Sequence, residues 1–198
     1  TKVIMPVHYA SNPEGIDEIH NFAKNNGLRV IEDAAHAFGC NYNGIKIGAQ
    51  GDIICFSFDG IKNITSGEGG AIFSKDLKVI SKVRDSRLLG VHKDSEKRYS
   101  GNRSWEFEVY YQGYRYHMSN IFAAIGRVQL KRLDNEFGPR RKKIAKYYVK
   151  KLSENKNIKL INVNFENIIP HIFPILVHNN IRKKLIKKFQ SNNIQFGL

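Results

Sequence analysis

In the stretch Cys55-Phe-Ser-Phe-Asp-Gly-Ile-Lys-Asn-Ile-Thr-Ser-Gly-Glu-Gly-Gly70, a short apolar strand runs into a polar, glycine-rich turn, and Lys62 lies at the junction. An earlier stretch, Leu28-Arg-Val-Ile-Glu-Asp33, has the same form, because an apolar strand there ends at a carboxylate. Open α/β sheets bind their ligands at the carboxyl ends of their strands. We therefore expect Lys62 and Asp33 to face one crevice.

The residues before these two stretches predict an α/β fold. Residues 3–7 are a short apolar strand, Asn12-Pro13-Glu14 is typical of a helix start, and Gly27 ends the helical pattern before the next strand at 28–31. A strand, a helix and a second strand in this order predict a parallel sheet with a right-handed crossover. The fold class we expect is a mostly parallel sheet flanked by helices.

Local signals predict the elements that follow. Asn43-Gly44 between apolar residues predicts a hairpin, and Asp76 begins a helix. Residues 90–113 are polar and aromatic and predict a long loop, which in a compact domain is often functional. Ser119 or Asn120 caps a further helix, which Phe137-Gly138-Pro139 should break. The residues we expect on the inner face of that helix are Ile121, Ala124, Ile125, Val128 and Leu133.

Composition bounds the class of protein. The chain has 198 residues, and no apolar run approaches the ~20 residues of a membrane helix. No signal peptide is visible, which predicts a cytoplasmic protein without membrane partners, and the first residue is Thr1 rather than Met, so we expect the true N-terminus to lie outside this sequence. Cys40 and Cys55 have neither metal nor redox spacing and are expected to be reduced thiols.

The formal charge of +14 has two possible explanations, a nucleic-acid-binding surface or a solvated, lysine-rich face. Residues 181–189 favour the second, because their apolar members recur at the spacing of an ordinary amphipathic helix and the lysines lie on the opposite face. No aromatic residues alternate with the basic ones to form a stacking platform. We expect no nucleic-acid partner, although an anionic small substrate would tolerate this field. The apolar residues are Ile181, Leu185 and Phe189.

Common catalytic motifs are absent. Residues 39–44 have the glycine spacing of a P-loop, but Ile45 stands where the lysine is required. The sequence has no zinc-protease helix motif and no nucleophile elbow, and its seven histidines are scattered, so we expect no metal site.

Residue chemistry alone leaves the roles of three residues open. Lys62 is either a surface lysine in a loop or an amine activated for attack on a carbonyl. Asp33 is either a helix N-cap or a functional carboxylate. Ser57 alternates with Phe56 and Phe58 and is either a core hydroxyl or a phosphate ligand.

The combination of blocks resembles a known family. Glu32-Asp-Ala-Ala-His36, Phe56-Ser-Phe58, Lys62 and Gly67-Glu-Gly-Gly70 resemble the DegT/DnrJ/EryC1/StrS sugar aminotransferases, which are fold-type I pyridoxal-phosphate enzymes. Three further segments resemble the same family and extend the likeness over nearly the whole chain. These are Pro6-Val-His8, Gly113-Tyr-Arg-Tyr-His-Met-Ser-Asn120, and Ala123-Ala-Ile-Gly126 with Gln129-Leu130.

The resemblance implies a role for each of five residues. Lys62 would form a Schiff base with pyridoxal 5'-phosphate and then carry a proton, while Asp33 would pair with the pyridine nitrogen and keep it protonated. His36 would lie against the ring or its 3-hydroxyl, and Ser57 would contact the phosphate. Arg115 would reach the phosphate of the neighbouring subunit, because the family forms homodimers with shared active sites.

The sequence departs from the family pattern in two ways. Full chains of the family are nearly twice as long, so residues 1–153 correspond to the C-terminal part of the cofactor-binding large domain and residues 154–198 to an incomplete small α+β domain. His117 replaces a common arginine, which puts the inherited substrate specificity in doubt. Related sugar dehydratases carry histidine at the Schiff-base position, and Lys62 argues against that branch.

The function implied is transamination of a nucleotide-linked keto-sugar, with glutamate as the amino donor. Asp33, Ser57 and Lys62 recognise the cofactor rather than the substrate, so an aminotransferase acting on a cyclitol or another ketone remains an alternative. A non-catalytic basic homologue that binds nucleic acid is the second alternative, and the presence of both Asp33 and Lys62 argues against it.

Overall fold

A four-stranded sheet carries both stretches that predicted the fold. The computed structural model describes residues 1–93, 100–101 and 106–197. The strands β1 (Val3–Ile4), β2 (Arg29–Asp33) and β5 (Ile53–Ser57) run parallel in the order β1-β2-β5, and α1 (Ile16–Asn25) crosses from β1 to β2. The predicted strand–helix–strand unit and the mostly parallel sheet are confirmed.

The fourth strand of the sheet, β6 (Gly70–Ser74), pairs antiparallel with β5 in the register Ser57↔Gly70. A parallel neighbour would need a crossover that returns the chain to the other end of the sheet, usually with a helix. The connection between β5 and β6, residues 58–69, contains Lys62 and is built of turns without a helix. This turn therefore lies at the carboxyl end of β5, beside the end of β2.

The predicted hairpin is present between β3 (Asn41–Tyr42) and β4 (Ile45–Lys46). Asn43 and Gly44 have φ values of 49° and 78°. Two central residues with positive φ are what a tight hairpin turn of this type requires, which explains the Asn-Gly pair.

Two predicted helix starts are also confirmed. Asp76 caps α2 (Leu77–Ser86), and its carboxylate accepts a hydrogen bond from the Lys78 backbone N–H at 2.9 Å. Ser119 caps α3 (Asn120–Arg132), and its hydroxyl accepts from the Phe122 N–H at 3.2 Å. In the predicted loop 90–113, residues 94–99 and 102–105 lie outside the described residues.

The sequence predicted a helix boundary at Phe137-Gly138-Pro139, and a new α-helix does begin there, although no gap separates it from α3. The chain continues through a π-helical turn (Leu133–Phe137) into α4 (Gly138–Leu152). Pro139 lies in the first turn of α4, where its missing N–H removes no intrahelical hydrogen bond. Pro139 is therefore compatible with the start of the new helix and does not interrupt the helical path of the chain.

The predicted inner face of α3 is wrong, except for Leu133, which is buried in the π-helical turn. Ile121 is 73 % exposed, and no residue of α3 itself is buried. The half-buried side is instead the one with Ala123, Gly126 and Gln129. Small residues there allow close approach to the Lys62 turn, since a Cβ on Gly126 would lie 3.3 Å from the Ser66 Cβ.

The C-terminal part of the chain contains the two-stranded sheet β7 (Ile158–Leu160) and β8 (Ile175–Val177), then α5 (Asn179–Ser191). The predicted inner residues of α5 are half-buried and its basic residues are exposed, as expected. Ile168 and Ile169 pack into the main core against Cys40 and Leu133. The division at 153/154 stays a prediction.

Two features are absent from the part of the chain that the structure describes. None of the described helices has the length and apolar character needed to cross a membrane. Within the same residues, no group of three or more His, Cys, Asp or Glu side chains is arranged to hold a metal ion.

Candidate functional site

Asp33 is the last residue of β2 and pairs in register with Cys55 of β5. Its backbone N–H donates to the Pro6 carbonyl at 2.9 Å and its carbonyl accepts from the His8 N–H at 3.0 Å, so residues 6–8 hold this strand end on one side and β5 holds it on the other. The Asp33 Oδ1 atom accepts from the Ala35 N–H at 3.0 Å. Turns follow instead of a helix, so the alternative that Asp33 is a helix N-cap is wrong.

Lys62 lies in the turn that follows β5, between the exposed Ile61 and the buried Asn63. Its backbone N–H donates to the Asp59 carbonyl at 3.1 Å, and the Ser66 N–H closes the turn by donating to the Phe58 carbonyl at 2.9 Å. The Lys62 side chain is half-buried, and its ammonium group makes no hydrogen bond or ion pair with any described residue. The structure thus presents a fixed backbone with an uncommitted amine.

The His36 imidazole feels the charges of both Asp33 and Lys62. Burial lowers the pKa of its imidazole, the Lys62 charge lowers it further, and the Asp33 charge opposes both effects. Both charges therefore act on the His36 ring. Asp33 and Lys62, which the sequence predicted to face one crevice, are thus both close enough to His36 for their charges to act on it.

Ser57 lies at the end of β5 on the strand face opposite to Phe56, as the alternation predicted. Its hydroxyl accepts from the Asp59 N–H at 3.4 Å. Arg115 is exposed on a segment that forms a bridge with Leu88, and among the described residues it makes no hydrogen bond or ion pair with another predicted site residue. Ser57 thus adjoins the Lys62 turn, while Arg115 is not brought to it.

Sequence reasoning missed Asn63, which is 4 % exposed. The Asn63 Nδ2 group donates to the Phe38 carbonyl at 3.1 Å, to the Ile169 carbonyl at 3.0 Å and more weakly to the His36 carbonyl at 3.4 Å. It therefore joins the Lys62 turn to the segment after Asp33 and to the C-terminal part of the chain. Its only signal in the sequence is its position next to Lys62.

Arg141 of α4 was also missed. Its Nη2 donates to the Lys62 carbonyl at 3.3 Å, and its Nη1 donates to the carbonyls of Pro170 at 3.2 Å and His171 at 3.4 Å. Burial lowers the pKa of its guanidinium. One cation thus fixes the lysine turn against the segment that ends at His171.

His171 is the third residue that the sequence did not reveal. Its ring lies against His36, with 4.4 Å between the ring centroids and an angle of 43° between the planes. Burial lowers its pKa to about 4, with smaller contributions from His36, Lys62 and Arg141, while Asp59 opposes them. At neutral pH this imidazole is uncharged, and it is both a hydrogen-bond donor and an acceptor.

These residues permit carbonyl chemistry. A lysine amine that no carboxylate holds is available to attack a carbonyl carbon and form a Schiff base. The Lys62 amine is half-buried and makes no hydrogen bond or ion pair with any described residue. Asp33 supplies a fixed negative charge across the crevice for a group that must stay protonated.

Comparison with known proteins agrees with the geometry. The sequence model that defines the DegT/DnrJ/EryC1/StrS aminotransferase family matches residues 1–198. An uncharacterised protein of Methanocaldococcus jannaschii, MJ1066, is 41% identical over an alignment 202 residues long that covers 98% of this chain and 51% of that protein. The chain spans about half the length of this relative.

Solved structures give the same result for the fold. The aminotransferase TlmJ from Streptoalloteichus hindustanus superimposes with a TM-score of 0.85 and 26% identity, over 97% of this chain and 50% of that one. Helicobacter pylori PseC, an aminotransferase involved in the biosynthesis of pseudoaminic acid, gives a TM-score of 0.83 and 27% identity, over 98% and 51%. The predicted fold-type I class, in partial form, is confirmed.

The family resemblance found in the sequence is confirmed by these matches as well. The chain belongs to the DegT/DnrJ/EryC1/StrS aminotransferase family, whose cofactor is pyridoxal 5'-phosphate.

Proposed function

We propose that the protein carrying this chain is a pyridoxal-phosphate-dependent aminotransferase that converts a nucleotide-linked keto-sugar into an amino-sugar, with glutamate as the amino donor. The family match and the solved sugar aminotransferases support the reaction class. The observation that carries the proposal is the placement of the two residues: Asp33 ends β2, which pairs with β5, and Lys62 lies in the turn that follows β5.

The residues present fit this cofactor. The cofactor requires a free amine for its aldehyde, and the Lys62 ammonium is uncommitted among the described residues. It requires a carboxylate for its ring nitrogen, and Asp33 lies at the adjacent strand end. The buried His36 Nδ1 has no partner in the described structure, so it represents hydrogen-bonding capacity that a bound group can use.

Each residue then has a defined task. When bound, pyridoxal 5'-phosphate supplies an electron-withdrawing ring that stabilises negative charge on the substrate carbon. Asp33 would hold a proton on the ring nitrogen, and Lys62 would bind the cofactor and afterwards move a proton at the substrate carbon as general base and acid. His36 would flank the ring, and Ser57 would bind the phosphate.

We also propose that the protein is a cytoplasmic homodimer. Arg115 is exposed and separate from the Lys62 turn, which suits a residue that serves the phosphate of a neighbouring subunit. Exposed apolar side chains on the same stretch of chain, such as Ile121 and Val128, suit an interface.

The experiment uses the full-length protein with bound pyridoxal 5'-phosphate. We expect Lys62→Ala to abolish the visible absorbance band of the lysine-bound cofactor and the amination activity, because the covalent attachment is lost. Lys75→Ala is the matched control, since Lys75 is an exposed lysine after the neighbouring strand β6. A Lys62→Ala protein that kept both the band and turnover would contradict the assignment.

Substrate class is tested separately. A panel of nucleotide-linked keto-sugars, assayed for amination that depends on glutamate, should contain at least one substrate. Turnover of cyclitol ketones with no turnover of any member of the panel would favour the alternative substrate class.

A further inference from the structure

Both main-chain polar groups of Lys62 are engaged in hydrogen bonds. Its N–H donates to the Asp59 carbonyl within the turn, at 3.1 Å. Its carbonyl accepts from the Nη2 atom of Arg141 in α4, at 3.3 Å, and is thereby held from outside the turn. The two planar peptide groups that flank a Cα atom set the direction of its Cα–Cβ bond. These two hydrogen bonds therefore determine the direction in which the Lys62 side chain leaves the backbone.

The turn itself restrains this part of the backbone only weakly. Gly60 and Ile61, which precede Lys62, are both exposed, and glycine adds conformational freedom. Asn63 is held by its own side chain, which donates to carbonyls of neighbouring segments. That contact fixes Asn63 but leaves the orientation of the peptide group before it to Arg141.

Among the described residues, Arg141 donates only to main-chain carbonyls, and no carboxylate pairs with it. Its Nη1 atom reaches the carbonyls of Pro170 at 3.2 Å and His171 at 3.4 Å, while Nη2 reaches that of Lys62. A half-buried cation without a counterion is unfavourable, and burial accordingly lowers the pKa of this guanidinium. What arginine supplies is a rigid, planar fork whose two nitrogens bind different groups at once, which lysine lacks.

The segment to which the Nη1 atom binds is well fixed. Pro170 is buried, and the two residues before it belong to the main hydrophobic core. The His171 N–H donates to the Ser11 hydroxyl at 3.0 Å. One nitrogen of the Arg141 fork is therefore held by the core, and the other holds the carbonyl of the lysine.

We propose that Arg141 is a positioning residue for Lys62. The two nitrogens of its guanidinium join the Lys62 carbonyl to the carbonyls of a fixed segment, and so direct the amine into the crevice. Arg141 acts through the backbone of Lys62 and requires no contact with the cofactor.

This inference rests on the proposed function, because it takes the neutral Lys62 amine to attack the aldehyde of pyridoxal 5'-phosphate. In that step the lysine nitrogen forms a double bond to the aldehyde carbon, and the carbon–oxygen bond breaks. The aldehyde oxygen leaves as water with the two protons of the amine. The rate of this step depends on where the nitrogen stands relative to the aldehyde, and this is what Arg141 would control.

The test compares two cofactor forms, using the full-length protein prepared free of cofactor. Pyridoxal 5'-phosphate bonds to the lysine, so the rate at which the visible band appears at saturating concentration reports the attack by the amine. Pyridoxamine 5'-phosphate has the same ring and phosphate but no aldehyde, so its dissociation constant, measured by calorimetry, reports the rest of the site. A merely structural residue would affect both quantities, whereas a positioning residue for Lys62 affects only the first.

Two substitutions and one control are compared. Arg141→Gln removes the charge and the fork, and we expect the visible band to form about tenfold to hundredfold more slowly, as for a displacement of ~1 Å between reacting groups. Arg141→Lys keeps the charge on a single nitrogen and should slow the band about threefold to tenfold, the range that one hydrogen bond supplies. Arg140→Gln is the matched control, because Arg140 is an exposed arginine one residue earlier in α4, and its rate should stay within about twofold of the wild type.

Pyridoxamine 5'-phosphate should bind to Arg141→Gln as it binds to the wild type. Asp33 and Ser57, which would contact the ring nitrogen and the phosphate, make no hydrogen bond to Arg141. Parallel losses of rate and of pyridoxamine 5'-phosphate affinity in this variant would show a structural role and overturn the proposal.

The remaining outcomes separate this inference from the proposed function. A wild-type protein that forms no visible band with pyridoxal 5'-phosphate overturns both. A wild-type protein that forms the band, together with an unchanged rate in either Arg141 variant or an equal loss in Arg140→Gln, overturns the positioning role alone. If the melting temperature shows that Arg141→Gln does not fold, Arg141→Lys decides, because a single nitrogen that sustained the full rate would show that the fork is not needed.

Discussion

Replacement of Asn63 by alanine should strongly destabilise the protein, because this side chain holds three segments together. Its Nδ2 group donates to carbonyls of Phe38, Ile169 and His36 from a position that is 4 % exposed. Alanine removes the donor and leaves the carbonyls buried. The Lys62 turn then loses its link to the C-terminal part of the chain.

The magnitude follows from the three contacts. The hydrogen bonds at 3.1 Å and 3.0 Å have good lengths, and the one at 3.4 Å is marginal. Each good bond contributes about 0.5–1.5 kcal/mol, and a carbonyl left without a donor adds about 1–3 kcal/mol. The His36 carbonyl keeps the Ser11 hydroxyl, and the Ile169 carbonyl keeps a weak contact with the Cys40 thiol, so the penalty falls mainly on Phe38. We expect Asn63→Ala to lower the free energy of unfolding by about 2–4 kcal/mol.

Urea unfolding of the cofactor-free, full-length protein measures this loss. Asn192→Ala is the matched control, because the Asn192 Nδ2 group donates to the Lys188 carbonyl at 2.8 Å from an exposed position at the end of α5. The control should change the free energy of unfolding by less than about 0.5 kcal/mol. A loss below about 1 kcal/mol in Asn63→Ala, or a loss equal to that of the control, would refute the argument that the buried amide holds the turn.

Glu32→Gln should lower the free energy of unfolding by about 1–3 kcal/mol, because the buried carboxylate accepts hydrogen bonds at 2.8 Å from both His8 and His20, and an amide accepts at only one of its two positions; an unchanged urea midpoint would contradict this. The pKa of His171 is about 4 in the folded state against 6.5 for the free group, mainly through burial. The unfolded chain therefore binds the proton first, so the stabilising contribution is complete above about pH 6.5 and is lost as pH falls toward 4. At 1.36 kcal/mol per pKa unit, discounted for the solvent-exposed part of the ring, His171→Phe should flatten the stability profile between pH 7 and pH 4 by about 1–2 kcal/mol, and parallel profiles for the two proteins would show the assignment to be wrong.

Much of the fold was predictable because its signals are local. Asp76 and Ser119 each accept a hydrogen bond from the first turn of the helix that they precede, so they act within three residues. The Asn43-Gly44 pair is explained by the positive φ values that its own turn requires. Such features depend only on residues that are close in the sequence, so they can be predicted before the fold is known.

The inner face of α3 was not predictable in the same way. Apolar periodicity shows that a helix has an apolar side, but it does not show what covers that side. Close packing at Gly126 and Ala123 depends on the Lys62 turn, which is separated from them by more than fifty residues. The contact is made by small residues of the helix. A prediction that places large apolar residues on the inner face therefore misses it.

The residues of the candidate site also fall into two groups, those that the sequence indicated and those that only the folded structure revealed. Asp33 and Lys62 were expected to share a crevice because strand ends in a parallel sheet converge, and the family resemblance gave each of them a role. Asn63, Arg141 and His171 act through backbone carbonyls and ring contacts between distant segments. An asparagine, an arginine on a basic helix and one of seven histidines carry no pattern that distinguishes them before the chain is folded.

The distribution of unpaired polar atoms argues that these distant residues belong to the site. Among the described residues, the buried side-chain nitrogen and oxygen atoms without a hydrogen-bond partner are His36 Nδ1, His171 Nδ1 and Asn63 Oδ1. Asn63 is bonded to the His36 carbonyl, and the two rings touch, so all three atoms fall in one region next to Lys62. Each buried polar atom without a partner lowers the stability of the fold, and in the described residues these atoms gather around one lysine. A ligand that made hydrogen bonds to them would recover the lost stability, as is typical of a functional site. The unsatisfied atoms therefore extend the candidate site beyond the strand ends, to the segment that ends at His171.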